Sequence, residues 1–329
     1  MPRVKITEVA REAGVSLSTV SRVMNGNPTV DPVLAGRVRE VAARLGYTAN
    51  PLARSLVLGR TQTVSVVIPD LANPTFQAIL RGLSHAAAKD GYHVLISDTE
   101  EQVHEEREIA STTRRRTDGV ILCAPRMPQQ ELSALLPGIA PAVVINRPPL
   151  AEAPTVSADY GVAITELIDH LRGLGHTRIV FLSGAVASAS GEARLRAITA
   201  ATRADAELEV VEIPAGVDFD SGATAADAVL ASGSTAVLAF NDLVAMGLLS
   251  AVTARGIRVP DDLSIAGFDG IPFAAYTTPP LTTAAVPATE LGRSAWAAMH
   301  ALLSGEEPRA DETFAPAVVI RESTGPARR

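Results

Sequence analysis

The sequence predicts a small all-α head followed by a two-lobed α/β core of doubly wound parallel sheets. Three observations carry that expectation. Up to about residue 48 the chain shows only short amphipathic helical patterns. From Thr63 on, apolar runs with few interior charges alternate with helical patterns, as parallel strands covered on both faces do. That second stretch continues to Arg329, which is long for one sheet and predicts two lobes.

In the head, residues 5–13 form a helical pattern with Ile6, Val9, Ala10 and Ala13 on one face. Gly14-Val15-Ser16 breaks it, and Ser16 is a good N-cap for a second helix from Leu17 to about Met24. Val20 and Val23 then point inward, leaving Leu17, Ser18, Ser21 and Arg22 facing out. Asn25-Gly26-Asn27-Pro28 is a loop. Asp31-Pro32 is a cap followed by proline at the first helical position, so a third helix runs to Leu45 and stops at Gly46. Three short helices with a tight glycine turn between the first two make a helix-turn-helix pattern. Asn50-Pro51 opens one more helix, Leu52 to about Leu58, broken by Gly59. Two turns are too few to hold in water, so this helix is expected to order only when something packs on it.

The core strands are read as Val64–Pro69, His93–Ser97, Gly119–Ala124, Ala142–Asn146, Ile179–Gly184, Leu208–Ile213, Ala236–Asn241 and Leu263–Asp269. Ligands in such folds bind at the C-terminal ends of strands, where the winding reverses. Pro69-Asp70, Asn146-Arg147, Asn241-Asp242 and Phe268-Asp269 place polar groups at strand ends, and a ligand is expected there.

Charge separates the two parts. Residues 1–60 hold nine Lys and Arg against four acids, a net of +5 within a chain of net −7. A basic head on an acidic body suggests that the head meets a polyanion. The single cysteine, Cys123, lies in an apolar run and reads as a buried strand residue. Met1-Pro2-Arg3-Val4-Lys5 leads straight into a helical pattern with no apolar leader segment, and no apolar stretch reaches the ~18 residues of a membrane span, so a cytosolic protein without membrane contact is expected. No catalytic motif appears, and the six histidines lack metal-ligand spacing, so neither an enzyme nor a metal or other cofactor is expected. A periplasmic transport protein is disfavoured by the basic head. A sugar-processing enzyme would differ from a sensor by turning its sugar over.

The head resembles the DNA-binding domain of the lactose-repressor/purine-repressor (LacI/GalR) family. The matching residues are Ile6-Thr-Glu-Val-Ala-Arg-Glu-Ala-Gly-Val-Ser-Leu-Ser-Thr-Val-Ser-Arg-Val-Met-Asn25, then Ala43-Arg-Leu-Gly-Tyr47 and Asn50-Pro-Leu-Ala-Arg-Ser-Leu56. The likeness extends through Pro69-Asp-Leu-Ala-Asn-Pro-Thr-Phe76, Ala239-Phe-Asn-Asp-Leu-Val-Ala-Met-Gly247 and Pro260-Asp-Asp-Leu-Ser-Ile-Ala-Gly-Phe-Asp269 to Val319-Ile-Arg-Glu-Ser-Thr324. It implies a helix-turn-helix head over residues 1–48, a hinge helix and linker over 49–61, and a periplasmic-binding-protein-like core over 62–329. The implied N-lobe spans about 62–159 and 288–315, and the C-lobe about 160–287 and 316–329, with crossings near Asp159-Tyr160, Val286-Pro287 and Ala315.

The resemblance further implies a repressor that binds double-stranded, near-palindromic operator DNA as a homodimer. Leu17, Ser18 and Arg22 match base-reading positions, and Arg22 suits bidentate contact with guanine. Ser16, Thr19, Ser21 and Asn25 match positions that touch phosphate or support the turn, and Thr7 and Thr29 complete the DNA-facing set of the head. Asn50, Ala53 and Leu56 match the hinge, where Leu56 either parts a base step in the minor groove or packs against the body. Some positions depart from the family. Lys5 replaces the usual Thr cap, and Val33-Leu34-Ala35 replaces a polar, basic start of the third helix. No leucine heptads follow the last strand, so a dimer rather than a tail-built tetramer is expected.

Carried over position by position, the effector residues are Asp70, Phe76, Asn146, Arg196, Phe219, Asn241 and Asp269, with Arg194 the neighbouring possibility to Arg196. The pocket reading is preferred for Asp269 over a turn cap, whereas Phe219 equally suits the core. The mixture fits a sugar, a sugar phosphate or a nucleoside. Binding is expected to close the lobes and change the spacing of the hinges, as inducer or as corepressor.

Overall fold

A computed structural model describes residues 4–24, 29–47, 59–184, 187–309 and 311–328. Contacts divide the chain into a head unit, Met1–Gln62, and a core unit, Thr63–Arg329.

The described head comprises α1 (Ile6–Ala13), α2 (Leu17–Met24) and α3 (Pro32–Leu45). Val9, Ala10, Ala13, Val20, Val23, Val38 and Ala42 form its buried centre. The missing Thr cap on α1 is offset by Glu8, whose carboxylate accepts the Lys5 N–H at 3.2 Å. Gly14 takes the left-handed conformation, φ 65°, that lets the chain reverse into α2 within three residues. Asp31 caps α3 by accepting the Leu34 N–H at 2.9 Å, with Pro32 in the first turn.

The core opens with β1 (Thr63–Ile68), α4 (Pro74–Lys89), β2 (His93–Asp98), α5 (Val103–Arg114), β3 (Gly119–Cys123), α6 (Gln129–Leu135), β4 (Ala142–Ile145) and β5 (Thr155–Ala158). It continues through α7 (Tyr160–Gly173), β6 (Arg178–Ser183), α8 (Ala189–Ala204), β7 (Glu209–Pro214), α9 (Phe219–Thr224), α10 (Ala226–Ala231), β8 (Ala236–Ala239) and α11 (Asp242–Ala254). It ends with β9 (Ser264–Asp269), β10 (Thr282–Ala285), α12 (Ala288–Ser304), β11 (Glu312–Phe314) and β12 (Ala317–Val319). Two six-stranded sheets result, ordered β11-β5-β4-β3-β1-β2 and β12-β10-β9-β8-β6-β7. The pairings are parallel except β10 with β12. The chain passes between sheets after β5, after β10 and between β11 and β12. In each sheet the order reverses at its first strand, β1 or β6, which opens a crevice at the strand C-termini.

The strands read from apolar runs are present, with ends shifted by no more than two residues. Asn146 and Asn241 therefore lie just past β4 and β8 rather than within them. Four strands, β5, β10, β11 and β12, went unread because they are short and two of them are rich in threonine and serine. Thr282 and Thr283 are nonetheless fully buried. Their hydroxyls are satisfied there: Thr282 pairs with Thr324 at 2.9 Å, and Thr283 donates to Asp242 at 2.6 Å. Beneath the first sheet, α4 and α12 cross so closely that a Cβ at Gly82 would stand 2.2 Å from the Thr289 carbonyl oxygen.

Candidate functional site

The head presents one coherent polar face. Leu17, Ser18 and Arg22 are exposed on α2 because Val20 and Val23 occupy the opposite, buried face. Leu17 is 48% exposed, unusual for leucine and consistent with a surface meant to be covered. Ser16 precedes the helix and accepts the Thr19 N–H at 3.2 Å, while its hydroxyl pairs with Ser18 at 2.8 Å and Thr19 at 2.9 Å. The Arg22 Nε donates to the Ser18 carbonyl at 3.4 Å, holding the guanidinium along the helix. Thr7 and Thr29 are exposed, whereas Thr19 and Ser21 are half-buried, so Ser21 is less outward than the sequence pattern implies. Asn25, Asn50, Ala53 and Leu56 lie outside the described residues.

The core holds a small cavity of about 30 Å³ between its two lobes. One wall comes from α4 (Thr75, Phe76), the loop after β2 (Glu101) and the ends of β3 and β4 (Ala124, Arg126, Asn146). The other comes from the start of α7 (Tyr160), α8 (Ser190, Arg194) and the ends of β8 and β9 (Phe240, Asn241, Asp269). Glu101, Ala124, Asn146 and Asp269 all have positive φ, between 47° and 105°, although none is glycine. Backbone in that region is costly for side-chain-bearing residues and concentrates at functional sites.

Arg194 is the centre of the second wall. It is 2% exposed, and its guanidinium carbon lies 3.9 Å from the Phe268 ring centroid, 4.7 Å from Phe240 and 4.8 Å from Tyr160. Three ring faces partly compensate the desolvated cation. Its Nη2 stands 4.0 Å from Asp269, and its Nε and Nη1 find no hydrogen-bond partner among the described residues. Asp269 accepts a hydrogen bond from Thr75 at 2.9 Å, which joins the two lobes. Burial pushes its carboxyl up to about 6, with the Arg194 charge and the Thr75 hydroxyl opposing. In the other wall, the buried Arg126 donates from Nε and Nη2 to the two oxygens of the half-buried Glu101 at 2.7 and 2.8 Å, a bidentate pair.

Phe76, Asn146, Asn241 and Asp269 thus line the cavity, as the sequence suggests, while Arg196, Phe219 and Asp70 do not. Arg196 is exposed and pairs with Glu192 one turn back at 3.7 Å. Successive helical residues turn by about 100°, so Arg194 and Arg196 point to opposite sides, and Arg194 shares the buried side with Ile198. That i,i+4 pairing with an apolar residue is the signal that selects Arg194. Phe219 is displaced because Asp218 caps α9, accepting the Ser221 N–H at 2.8 Å. The cap places Phe219 at the first helical position, 46% exposed, in an outer groove with Met246 and Thr277. Phe240 supplies the cavity aromatic instead. Asp70 is half-buried and accepts the Ala72 N–H at 2.7 Å, shaping the turn before α4. Asn241 also serves as helix cap: it accepts the Val244 N–H at 2.8 Å and donates to the Val217 carbonyl at 2.8 Å. Glu101 and Arg126 carry no strand-end motif, and their meeting depends on the fold.

Behind the second wall, Asp242 is wholly buried and braces the turn that carries Asp269. It accepts from the Ile271 N–H at 2.8 Å and from Thr283, and burial pushes its carboxyl up to about 8. Among the described residues no His, Cys, Asp or Glu cluster is arranged to hold a metal ion, and no helix is long and apolar enough to cross a membrane.

The sequence profile of the periplasmic binding protein-like domain matches residues 168–324, and that of bacterial regulatory proteins of the lacI family matches residues 5–50. The HTH-type transcriptional repressor CytR of Escherichia coli (strain K12) is 32% identical over 294 residues, which cover 88% of this chain and 86% of that protein. The HTH-type transcriptional repressor PurR of Vibrio cholerae serotype O1 (strain M66-2) is 31% identical over 303 residues, covering 88% and 89%. The solved structure of the lac repressor dimer bound to operator and the anti-inducer ONPF matches with a TM-score of 0.88 at 25% identity, over 98% of this chain and 100% of that one. With its helix-turn-helix head, its two-sheet core and these relatives, the chain belongs to the lacI family of bacterial regulatory proteins and is a DNA-binding transcriptional regulator.

Proposed function

We propose that this regulator is a cytoplasmic repressor that binds a near-palindromic operator as a homodimer and is controlled by a small polar effector held between the lobes of its core. The observation that carries the effector reading is Arg194, buried at the cavity with two N–H-bearing nitrogens lacking partners among the described residues. Buried donors of that kind are costly unless a ligand or water completes them.

On the DNA side, exposed Leu17, Ser18 and Arg22 are suited to base edges in the major groove. Ser16, Thr19 and Ser21, with Asn25, Thr7 and Thr29, are assigned to phosphate contact and support of the turn. Asn50, Ala53 and Leu56 are assigned to a hinge that folds in the central minor groove, with Leu56 as wedge. Exposed Leu95 and Ile96 on edge strand β2, near Leu71, and Phe219, Phe273 and Tyr276 in the other lobe supply apolar surface for a second copy. Effector binding changes the lobe arrangement and with it the spacing of the two hinges. It requires unequal affinity for the two arrangements, and either sign of control is allowed.

The test is a genomic selection followed by fluorescence anisotropy at fixed salt, with and without candidate sugars and nucleosides. The expected result is a fragment bound at least 100-fold tighter than random DNA, with an affinity that one small molecule alters. Equal binding to selected and random fragments in every condition would refute the reading.

A further inference from the structure

We infer that the core carries a phosphate-binding site beside the interlobe cavity, formed by Arg147 of one lobe and Arg196 of the other. The site occupies a chamber of its own, so the inference stands whatever the cavity itself holds.

The chamber measures about 240 Å³ and meets the cavity at Asn146, Tyr160 and Ser190. Arg147, just past β4, lines it from the first lobe, and Arg196, on α8, lines it from the second.

Three arginines are buried around this crevice: Arg126, Arg147 and Arg194. Arg126 is bound to Glu101, and Arg194 stands beside Asp269 and three aromatic rings. Arg147, 7% exposed, pairs with no carboxylate among the described residues. Its Nη1 donates to the carbonyls of Pro125 and Met127 at 3.0 and 3.1 Å, and its Nη2 to the Gln129 side chain at 2.8 Å. Its Nε is buried with no partner among the described residues. Burial disfavours its charged form, and the carboxylates that favour it, Glu192 and then Glu106, are engaged elsewhere. Glu192 pairs with Arg196, and Glu106 accepts the Arg126 and Met127 N–H groups at 2.6 and 2.7 Å. A guanidinium does not give up its proton, so a buried one held by neutral oxygens calls for an anion.

The rest of the chamber suits a tetrahedral acceptor. Ala189 and Ser190, in the first turn of α8, line it, so that helix of 16 residues presents its positive end. Ser157 and Thr313, whose hydroxyls pair at 3.2 Å, and Ser190 bring O–H donors. Asn146 accepts the Ala158 N–H with its Oδ1 at 3.2 Å, which leaves its amide nitrogen to donate. Asp159 is the carboxylate among the lining residues, and it is committed to the Val162 N–H at 3.0 Å as the cap of α7. Arg196 meets Glu192 at 3.7 Å with both side chains largely exposed. Such a pair contributes little, so an anion in the chamber can draw the arginine away from it. Phosphate oxygens match the planar fork of a guanidinium and the N-terminus of a helix alike. Water could complete the Arg147 Nε but would leave its charge unmatched. The phosphate has two possible sources: the free ion, or an ester whose organic part extends into the cavity.

Isothermal titration of the full chain in phosphate-free buffer at fixed ionic strength tests this. One arm uses inorganic phosphate, a second the phosphate esters of ribose and glucose, and a third the neutral parent sugars. The expected result is saturable binding in one of the first two arms. An ester that binds about tenfold tighter than both inorganic phosphate and its parent sugar assigns the source to the ester, and any other ranking with phosphate bound assigns it to the free ion. Arg196→Gln changes an exposed residue and is expected to melt as the parent does while weakening phosphate about tenfold, the loss of one charge-assisted hydrogen bond. Glu192→Gln removes the competing carboxylate and is expected to tighten phosphate binding. Saturable binding should vanish in Arg147→Gln, read once its cooperative melt is confirmed. Silence in the first two arms overturns the inference, and so does an Arg196→Gln variant that binds phosphate as tightly as the parent. Binding in the third arm alone overturns it too, while leaving the effector reading of the cavity in place.

Discussion

The Thr75 hydroxyl donates to the Asp269 carboxylate at 2.9 Å, tying the first turn of α4 in one lobe to the last residue of β9 in the other. These residues are 194 positions apart in sequence, and their bond crosses the cavity that also holds Arg194. In the proposed mechanism, lobe closure and ligand recognition share this carboxylate.

Thr75→Val keeps the shape and removes the donor. A hydrogen bond to a charged acceptor contributes about 1.5–3 kcal/mol, so the urea midpoint is expected to fall correspondingly. Small-angle scattering should show a larger radius of gyration for the core. An unchanged radius and midpoint would mean that the bond does not hold the lobes together.

Arg194 and Arg196 separate function from surface. Arg194→Met is expected to abolish the effector response and to lower the melting temperature, because it leaves the Asp269 carboxylate buried without its facing cation. Arg196→Ala removes an exposed ion pair and should change stability by less than about 0.5 kcal/mol with the effector response intact. Calorimetric titration and thermal melts read both outcomes, and a reversed pattern would relocate the site.

Stability should fall as pH rises through two windows. Burial holds Asp269 at about 6 and Asp242 at about 8, against an ordinary 3.8. Between the ordinary and raised values the folded chain keeps a proton that the unfolded chain has lost, so the contribution is full below about pH 3.8. It drains away as pH approaches 6 for Asp269 and 8 for Asp242. Asp242→Asn mimics the protonated form: its amide oxygen accepts from Ile271 and its NH₂ donates to Thr283. Urea titrations of this variant should show a flatter profile between about pH 6 and 8. A slope identical to that of the parent chain would exclude Asp242 as the source.

Arg22→Ala is expected to weaken operator binding by about 1–3 kcal/mol and to relax preference at one base pair, with little change in affinity for random DNA. Anisotropy titrations at several salt concentrations distinguish this from loss of a phosphate contact, which would lower the salt slope instead.

Gly82→Ala sets a methyl group 2.2 Å from the Thr289 carbonyl oxygen, so α4 and α12 must move apart. A loss of about 1–3 kcal/mol is expected from such overpacking. A melting temperature within error of the parent would show that the crossing yields freely.

Local patterns made much of this fold readable. The head follows from glycine and proline at helix ends and from apolar residues three and four apart, as Val20 and Val23 show. The long core strands follow from apolar runs such as Gly119–Cys123. Strands such as Thr282–Ala285 were hidden because their buried threonines look soluble until Asp242 and Thr324 are seen to satisfy them. Phe219 was misplaced because a positional match to the family does not reveal which side of a helix a ring occupies.

The amino-acid sequence alone determined a basic helix-turn-helix head, an α/β core, and the strand ends that bring polar groups to the interlobe cavity. These are properties of neighbours a few residues apart. The tertiary structure decided which arginine enters the cavity, that Glu101 stands against Arg126, and that Thr75 reaches Asp269. Charge balance and lobe closure depend on residues far apart in the chain, which only the packing of two sheets brings within a few ångströms of each other.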